Sequence, residues 1–395
     1  MNASASSFSD RLIELDFARG IAILLAIGWH FHIETGIFAL DALQIPAITI
    51  GWAGVDLFFV LSGFLIGSLI FAEIRRTGSF DARRFLIRRA FKIWPVLYLY
   101  IALLLLTGRY EPMQIVPQTL FHMQNYWLTP LNHLWSLAVE EHFYLTFALL
   151  AAIFSLSVSS VERVPLVLLS IMAAALVARL AGAALAIEPT TIQVQTHFRI
   201  DSLACGVLLA YVKFYKPDFF ASLLGKKALW VLLVILGIAF LILADWLIPT
   251  LGYTVAYIAA AAFLLLLMES RIMLSKLRPV RLIAWIGTYS YAMYVFQFVM
   301  YRALERGWHK ASLGAIPPTI ELTMKYGGAI ITAVIVSKSI ERPLLLLRNQ
   351  LFPSPAIVRN RVNGNESQAY PQTATGISSG SEHTAANTGM EEPAP

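Results

Sequence analysis

Apolar runs of about twenty residues alternate along this chain with short stretches in which charged residues gather. The runs lie near 18–38, 47–71, 93–107, 133–156, 164–187, 198–214, 228–248, 251–268, 282–301 and 319–340. The third is short, and the eighth and ninth have room to shift by several residues. Each is about the length of helix that crosses the hydrocarbon layer of a bilayer. The pattern predicts an all-α integral membrane protein, a bundle of about ten transmembrane helices. The first run follows Glu14, Asp16 and Arg19 rather than a short basic start, so it is expected to be a retained helix and not a cleaved leader. No repeat of fixed period and no inverted pair of interrupted runs is visible. The pattern stops after about residue 350. Residues 1–350 are expected to form the membrane domain and 351–395, rich in Ser, Thr, Gly, Asn, Pro and Glu, a disordered cytoplasmic tail.

Composition agrees with the pattern. Hydrophobic residues make up 58% and charged residues 14% of the chain, against roughly 25% charged in a soluble domain. Mean hydropathy is +0.67. Placement of charge gives orientation. Arg75, Arg76, Arg83, Arg84, Arg88, Arg89 and Lys92 fall between the second and third runs; Lys213, Lys216, Lys226 and Lys227 between the sixth and seventh; Arg271, Lys276, Arg278 and Arg281 between the eighth and ninth. Loops of the other parity carry fewer: Arg109 in one, and Arg302, Arg306 and Lys310 in another. The positive-inside rule then predicts cytoplasmic N- and C-termini. The isoelectric point near 9.3 is read as this orientation signal; no nucleic acid partner is implied, because the basic stretches are short and separated by spans. Cys205 reads as a small packing residue. Asn365-Glu366-Ser367 fits a glycosylation sequon but falls in the expected cytoplasmic tail.

Ionisable groups inside spans are costly, so each is a candidate for function. Arg19 and His30 lie roughly 16 Å apart along one helix axis at about 1.5 Å per residue. The fourth run reads HLWSLAVEEHFYL, in which His133, Ser136, Glu140 and Tyr144 share one helical face. Counting residues from the ends places Asp56, Glu140, Glu141, Arg199, Asp201, Tyr291, Tyr294 and Gln297 near the depth of His30. For any one of them a buried pair that only locks helices together is an equal alternative. His32 faces away from His30 and reads as interfacial, and Gly63 and Gly67 read as a helix-packing pair. The stretch RRAFKIWP sets Arg88, Arg89 and Lys92 on an arc before Pro95, on the side of Arg19. Positive-inside anchoring explains such a cluster; its density also suits a polyanion.

Together these stretches resemble acyltransferase family 3, a family of integral-membrane acyltransferases, over about residues 10–350. The resemblance rests on Leu15, Asp16, Arg19, Gly20 and His30; on GVDLFFVLSGFLI at 54–66; on Arg88, Arg89, Lys92 and Pro95; on HLWSLAVEEHFYL at 133–145; and on RIDSLACG and IGTYSYAMYVFQ. Lys92 stands where that family often has arginine, which keeps the charge but not the bidentate geometry. Gln297 stands where many members have histidine. Nothing after residue 350 is expected to fold into the hydrolase-like domain fused to some relatives.

The resemblance implies a multi-pass enzyme of the inner membrane that moves an acyl group from cytoplasmic acyl-CoA, acetyl-CoA as the expected form, to a glycan hydroxyl. The acceptor classes implied are lipopolysaccharide, exopolysaccharide, or another oligosaccharide or glycoside, with no metal. Arg19, Arg88, Arg89 and Lys92 would hold the donor phosphates. His30 would be the general base, oriented by Glu140 or Glu141, with Glu140 favoured by its helical face. Arg199 or a tyrosine would stabilise the oxyanion. Asp56, His133, Ser136 and Tyr294 would line the substrate site. An acyl-histidine is an alternative chemistry. A proton-coupled transporter would also use buried histidine and carboxylates, but not the basic cluster. A membrane scaffold would use neither.

Overall fold

The computed structural model describes residues 13–127, 129–153, 157–224, 227–242, 247–269 and 276–353. Among these every regular element is a helix, apart from an isolated bridge between Ser79 and Ser157. The expected tail from residue 354, its sequon, Lys226 and Arg271 lie outside the described residues.

The elements follow local rules. Helix α1 (Ile13–His30) carries Glu14 and Asp16 in its first turn, matching the helix dipole, and ends at His30. After a turn in which Asp41 accepts from the backbone of Thr35 and Gly36, α2 (Phe38–Ile50) leads into α3 (Gly54–Thr77). Gly78, at φ +83°, ends α3 in the left-handed conformation that glycine adopts without strain. Helix α4 (Ala82–Leu106) starts at Asp81, whose side chain accepts from Arg84 N. It runs on through Pro95, so RRAFKIWP belongs to the helix itself rather than to a connecting loop. Then come α5 (Pro112–Leu120), α6 (Trp135–Ile153), α7 (Val164–Ala184), α8 (Pro189–Val194), α9 (Thr196–Tyr215), α10 (Pro217–Leu223), α11 (Lys227–Ile242) and α12 (Tyr253–Glu269). The ninth apolar run is two helices, α13 (Arg278–Gly287) and α14 (Ser290–Lys310), bent by 77°. Helices α15 (Pro318–Val336) and α16 (Arg342–Leu351) close the described chain.

Among the described residues, five helices are long and apolar enough to cross a membrane, or up to seven when each of two bent pairs is taken as one span. This is fewer than the ten expected. Helices α1 and α9 are of spanning length but carry Glu14, Asp16 and Arg19, or Arg199, Asp201 and Lys213. The charges that make them candidates for function also lower their apolarity.

Two close helix contacts set the frame. Helix α3 lies against α9 so tightly that a Cβ on Gly63 would sit 2.1 Å from the Leu203 carbonyl, and one on Gly206 2.1 Å from the Val60 carbonyl. A Cβ on Gly287 would meet the Asp16 carbonyl at 1.8 Å, which docks α13 on α1 beside Arg19. Gly63 is thus a packing residue, as its spacing suggested.

The same α3–α9 contact carries a charged lattice. Arg199 Nη2 donates to both Asp56 oxygens at 2.8 Å, Ser202 Oγ donates to Asp56 Oδ1 at 2.7 Å, and the guanidinium lies 3.5 Å from the Tyr253 ring centroid. Arg179 pairs with Asp201 at 2.7 Å and also donates to Thr250 O and Thr254 Oγ1. All four charged side chains are at most 1% exposed. Arg199, expected to stabilise the oxyanion, and Asp56, expected to line the substrate site, are paired with each other between helices.

Candidate active site

Two cavities touch α1, one at Arg19 in its first half and one at His30, its last residue. The first, about 130 Å³, holds Arg19 from α1, Ser62 from α3, Arg89 and Lys92 from α4, Ser136, Glu140 and Tyr144 from α6, and Tyr291 and Tyr294 from α14. Spacing explains the helical contributions. Arg89 and Lys92 are three residues apart, and Ser136, Glu140 and Tyr144 four apart, so each set shares one face. The 77° bend after α13 turns the start of α14 into the cavity; Thr288 and Ser290 line it too. Tyr144 OH donates to Glu140 Oε2 at 2.7 Å, which leaves Ser62 Oγ, also 2.7 Å from that hydroxyl, as the donor to Tyr144.

The basic residues of this cavity differ in how they are satisfied. Lys92 pairs with Glu341 at 2.8 Å, whose other oxygen accepts from Ser337 Oγ. Arg19 pairs with Asp16 at 3.2 Å. Arg88 donates to the Phe352 carbonyl and to Asn349, on and just after α16, rather than lining the cavity. Arg89 lies 5.6 and 5.7 Å from the ring centroids of Phe85 and Tyr144 and, among the described residues, makes no ion pair. Arg348 on α16 joins the cluster. Burial first, then the nearby charges of Arg88 and Arg89, hold its guanidinium down to about 10. Like charges crowded around Arg89, which itself lines the cavity, are a setting in which an anion is stabilising.

The second cavity, about 540 Å³, is lined by His30 and Phe31 from the end of α1, Arg109, and Phe298, Tyr301, Arg302, Glu305 and Arg306 from α14, with Lys325 from α15. The His30 ring lies 6.0 Å from that of Phe298. His133 and Tyr294 stand between the two cavities. Ser136 Oγ donates to Tyr294 OH at 2.7 Å, and Tyr294 OH donates to the His133 carbonyl. The His133 ring faces the other way, 5.0 Å from Phe298 and 5.9 Å from Tyr100.

This arrangement corrects the single depth expected from residue counting. Arg19, Arg89, Lys92, Ser136, Glu140 and Tyr294 do meet in one cavity, whereas His30 opens into the other. Among the described residues no hydrogen bond joins Glu140 or Glu141 to His30, and Glu140 and His30 line different cavities. His133 belongs to the 3-10 turn Asn132–Leu134 ahead of α6, which rotates it off the face shared by Ser136 and Glu140. Glu141 faces Trp94, with Oε1 buried and unpartnered. Gln297 is fully buried and donates to the Tyr294 carbonyl. Sequence reasoning missed Ser62, Glu341 and Arg348, which carry no spacing signal. It also missed the convergence of Arg109, Arg302 and Arg306, whose signal was their place on the sparsely charged side of the chain.

The family model for an acyltransferase domain matches residues 12–338. Peptidoglycan O-acetyltransferase OatA of Listeria monocytogenes is 23% identical over 371 residues, covering 84% of this chain and 55% of that protein. O-acetyltransferase OatA of Staphylococcus aureus is 34% identical over 155 residues, 34% of this chain and 24% of that protein. A putative O-acetyltransferase of Staphylococcus aureus is 27% identical over 221 residues, 50% and 34% of the two chains. The chain thus spans between about a quarter and about half the length of these relatives. No solved structure matches.

Proposed function

The chain belongs to acyltransferase family 3, and from that premise we propose that it moves an acyl group, acetyl in the simplest case, from acyl-CoA to a hydroxyl of a glycan. The observation that carries this reading is the layout of α1, which delivers Arg19 to a basic cavity and His30 to a separate one, with His133 and Tyr294 between them. A donor with phosphates at one end and a reactive carbonyl at the other fits the first cavity's character. The acetyl group and the glycan acceptor are drawn from relatives named as O-acetyltransferases, one of them of peptidoglycan. The excess of basic residues near Arg89 assigns that end to the cytoplasm and the His30 end to the outside.

In this reading Arg89, aided by Arg19, Lys92 and Arg348, holds the donor's phosphates. Bound acyl-CoA supplies an activated thioester. For the acyl carbon to meet the acceptor, the wall at Tyr294 and His133 that separates the cavities has to open. His30 then takes the proton of the acceptor hydroxyl as its oxygen bonds to the acyl carbon, the carbon–sulfur bond breaks, and His30 returns the proton to the departing sulfur. Arg199 is committed to Asp56, and the one proton of Tyr294 goes to the His133 carbonyl, so neither is assigned the oxyanion role. Glu140, through Tyr144 and Ser62, holds the wall beside Arg89.

The test is thiol release from acetyl-CoA, and acetate transfer to an added oligosaccharide, by the purified protein and by His30→Ala. Loss of the general base should cost roughly 10²- to 10⁴-fold in rate with folding intact. Near-normal turnover in the variant overturns the base assignment, and no thiol release by the wild type overturns acyl transfer itself.

A further inference from the structure

The cavity that opens on His30 is more basic than its place in the chain accounts for. Arg109 follows α4, while Arg302 and Arg306 lie on α14. In the orientation above all three sit on the side where the positive-inside rule disfavours arginine. Different elements nevertheless bring them to one space with Lys325 and His30. The local acids offset only part of this charge, Glu305 alone among them lining the cavity. Glu321 is committed to Lys325 at 2.8 Å, and Tyr301 OH donates to Glu305 and Glu321 at 3.1 Å. Among the described residues none of the three arginines makes an ion pair; Arg302 has only a 3.4 Å hydrogen bond to Tyr110 OH. Uncompensated guanidinium groups around a cavity favour carboxylate or phosphate, which they bind through planar paired hydrogen bonds. The rings of Phe31, Phe298 and Tyr301 add an aromatic wall of the kind that binding pockets use to bury the body of a ligand.

We infer that the acceptor is an anionic saccharide, one bearing a carboxylate or phosphate. The arginines hold that group while a neighbouring hydroxyl faces His30. The inference rests on the acceptor side of the function proposed above. Because the arginines are exposed, attraction to the anion is screened by salt and steers the acceptor into the cavity as well as holding it there.

The test is a binding measurement that needs no turnover. Full-length protein in phosphatidylcholine nanodiscs, which contain no anionic lipid, is titrated calorimetrically with a uronic acid tetrasaccharide, with the neutral tetrasaccharide of the same linkage, and with a hexose phosphate. The uronic acid oligomer should bind roughly tenfold more tightly than the neutral one at low salt, the range of one charge-assisted hydrogen bond. The preference should vanish near about 1 M salt, where the screening length falls to about 3 Å. The hexose phosphate arm tells phosphate from carboxylate as the favoured group. Arg302→Gln with Arg306→Gln should erase the preference, and Arg302→Lys with Arg306→Lys should keep most of it. Equal binding of neutral and charged oligomers by the wild type overturns the inference without any variant. So does a preference that survives the double glutamine change. If His30→Ala turns over normally while the charge preference stands, acyl transfer by His30 fails and the anion site does not.

Discussion

Two arginines, Arg199 and Arg89, show how differently this bundle uses the same side chain. Arg199 is 1% exposed, with a bidentate Asp56, a neighbouring Asp201 and the ring of Tyr253 around it. Arg89 lines a cavity, rests on two aromatic rings and has no acid paired with it among the described residues. A buried guanidinium must be neutralised where it stands, so its energetic content is structural. A guanidinium left unpaired at a cavity keeps its capacity for an anion that arrives later. The paired lattice of α3 and α9 is the frame, and in the proposed function the unpaired cations at the two cavities are the working surfaces.

The strongest way to break this comparison is to remove one half of the frame. Arg199→Leu leaves Asp56 buried and uncompensated, which should cost about 3–5 kcal/mol and show as a lower melting temperature and yield in detergent. Asp56→Leu with Arg199→Leu should recover much of that loss, because removing both charges leaves no orphan. A stable Arg199→Leu protein without activity would return Arg199 to the reacting centre. Arg89→Gln should leave stability alone and raise the donor KM by roughly ten- to a hundredfold, the range of one hydrogen bond to a charged group, with kcat recovered at saturating acyl-CoA. A fall in kcat that no donor concentration restores would make Arg89 part of the chemistry. The smallest effect separates two adjacent acids. Glu140→Gln weakens the hydrogen bond from Tyr144 by about 1 kcal/mol, so transfer should drop several-fold. Glu141→Gln, outside both cavities, should turn over like the wild type. The reverse order in the same transfer assay would reject the assignment of Glu140 to the cavity wall.

Part of this site was legible in single helices. Spacing grouped Arg88, Arg89 and Lys92, and His133, Ser136, Glu140 and Tyr144; the cavity takes all of these except Arg88 and His133. Spacing also favoured Glu140 over Glu141, and the structure puts only Glu140 on the cavity. Depth counted from run ends was a poorer guide. It set His30 beside Glu140 because it assumed parallel spans of equal tilt and uniform limits. Yet α1 stops at His30, α4 begins at Ala82 and the ninth run bends by 77°. Arg348 and Glu341 left no mark at all, since α16 reaches α4 only by tertiary packing across some 250 residues of chain.

The sequence by itself determined that this is a helical membrane protein, where its charges fall, and that Arg19 and His30 lie well apart along one helix. Those properties follow from hydropathy and from a fixed rise and twist per residue, which need no partner. Which buried charge meets which was decided only by the tertiary structure. Rotation of each helix about its own axis is free until close contacts such as Gly63 on Leu203 and Gly206 on Val60 lock it. That locking turned Asp56 towards Arg199 and left Arg89 facing an open cavity.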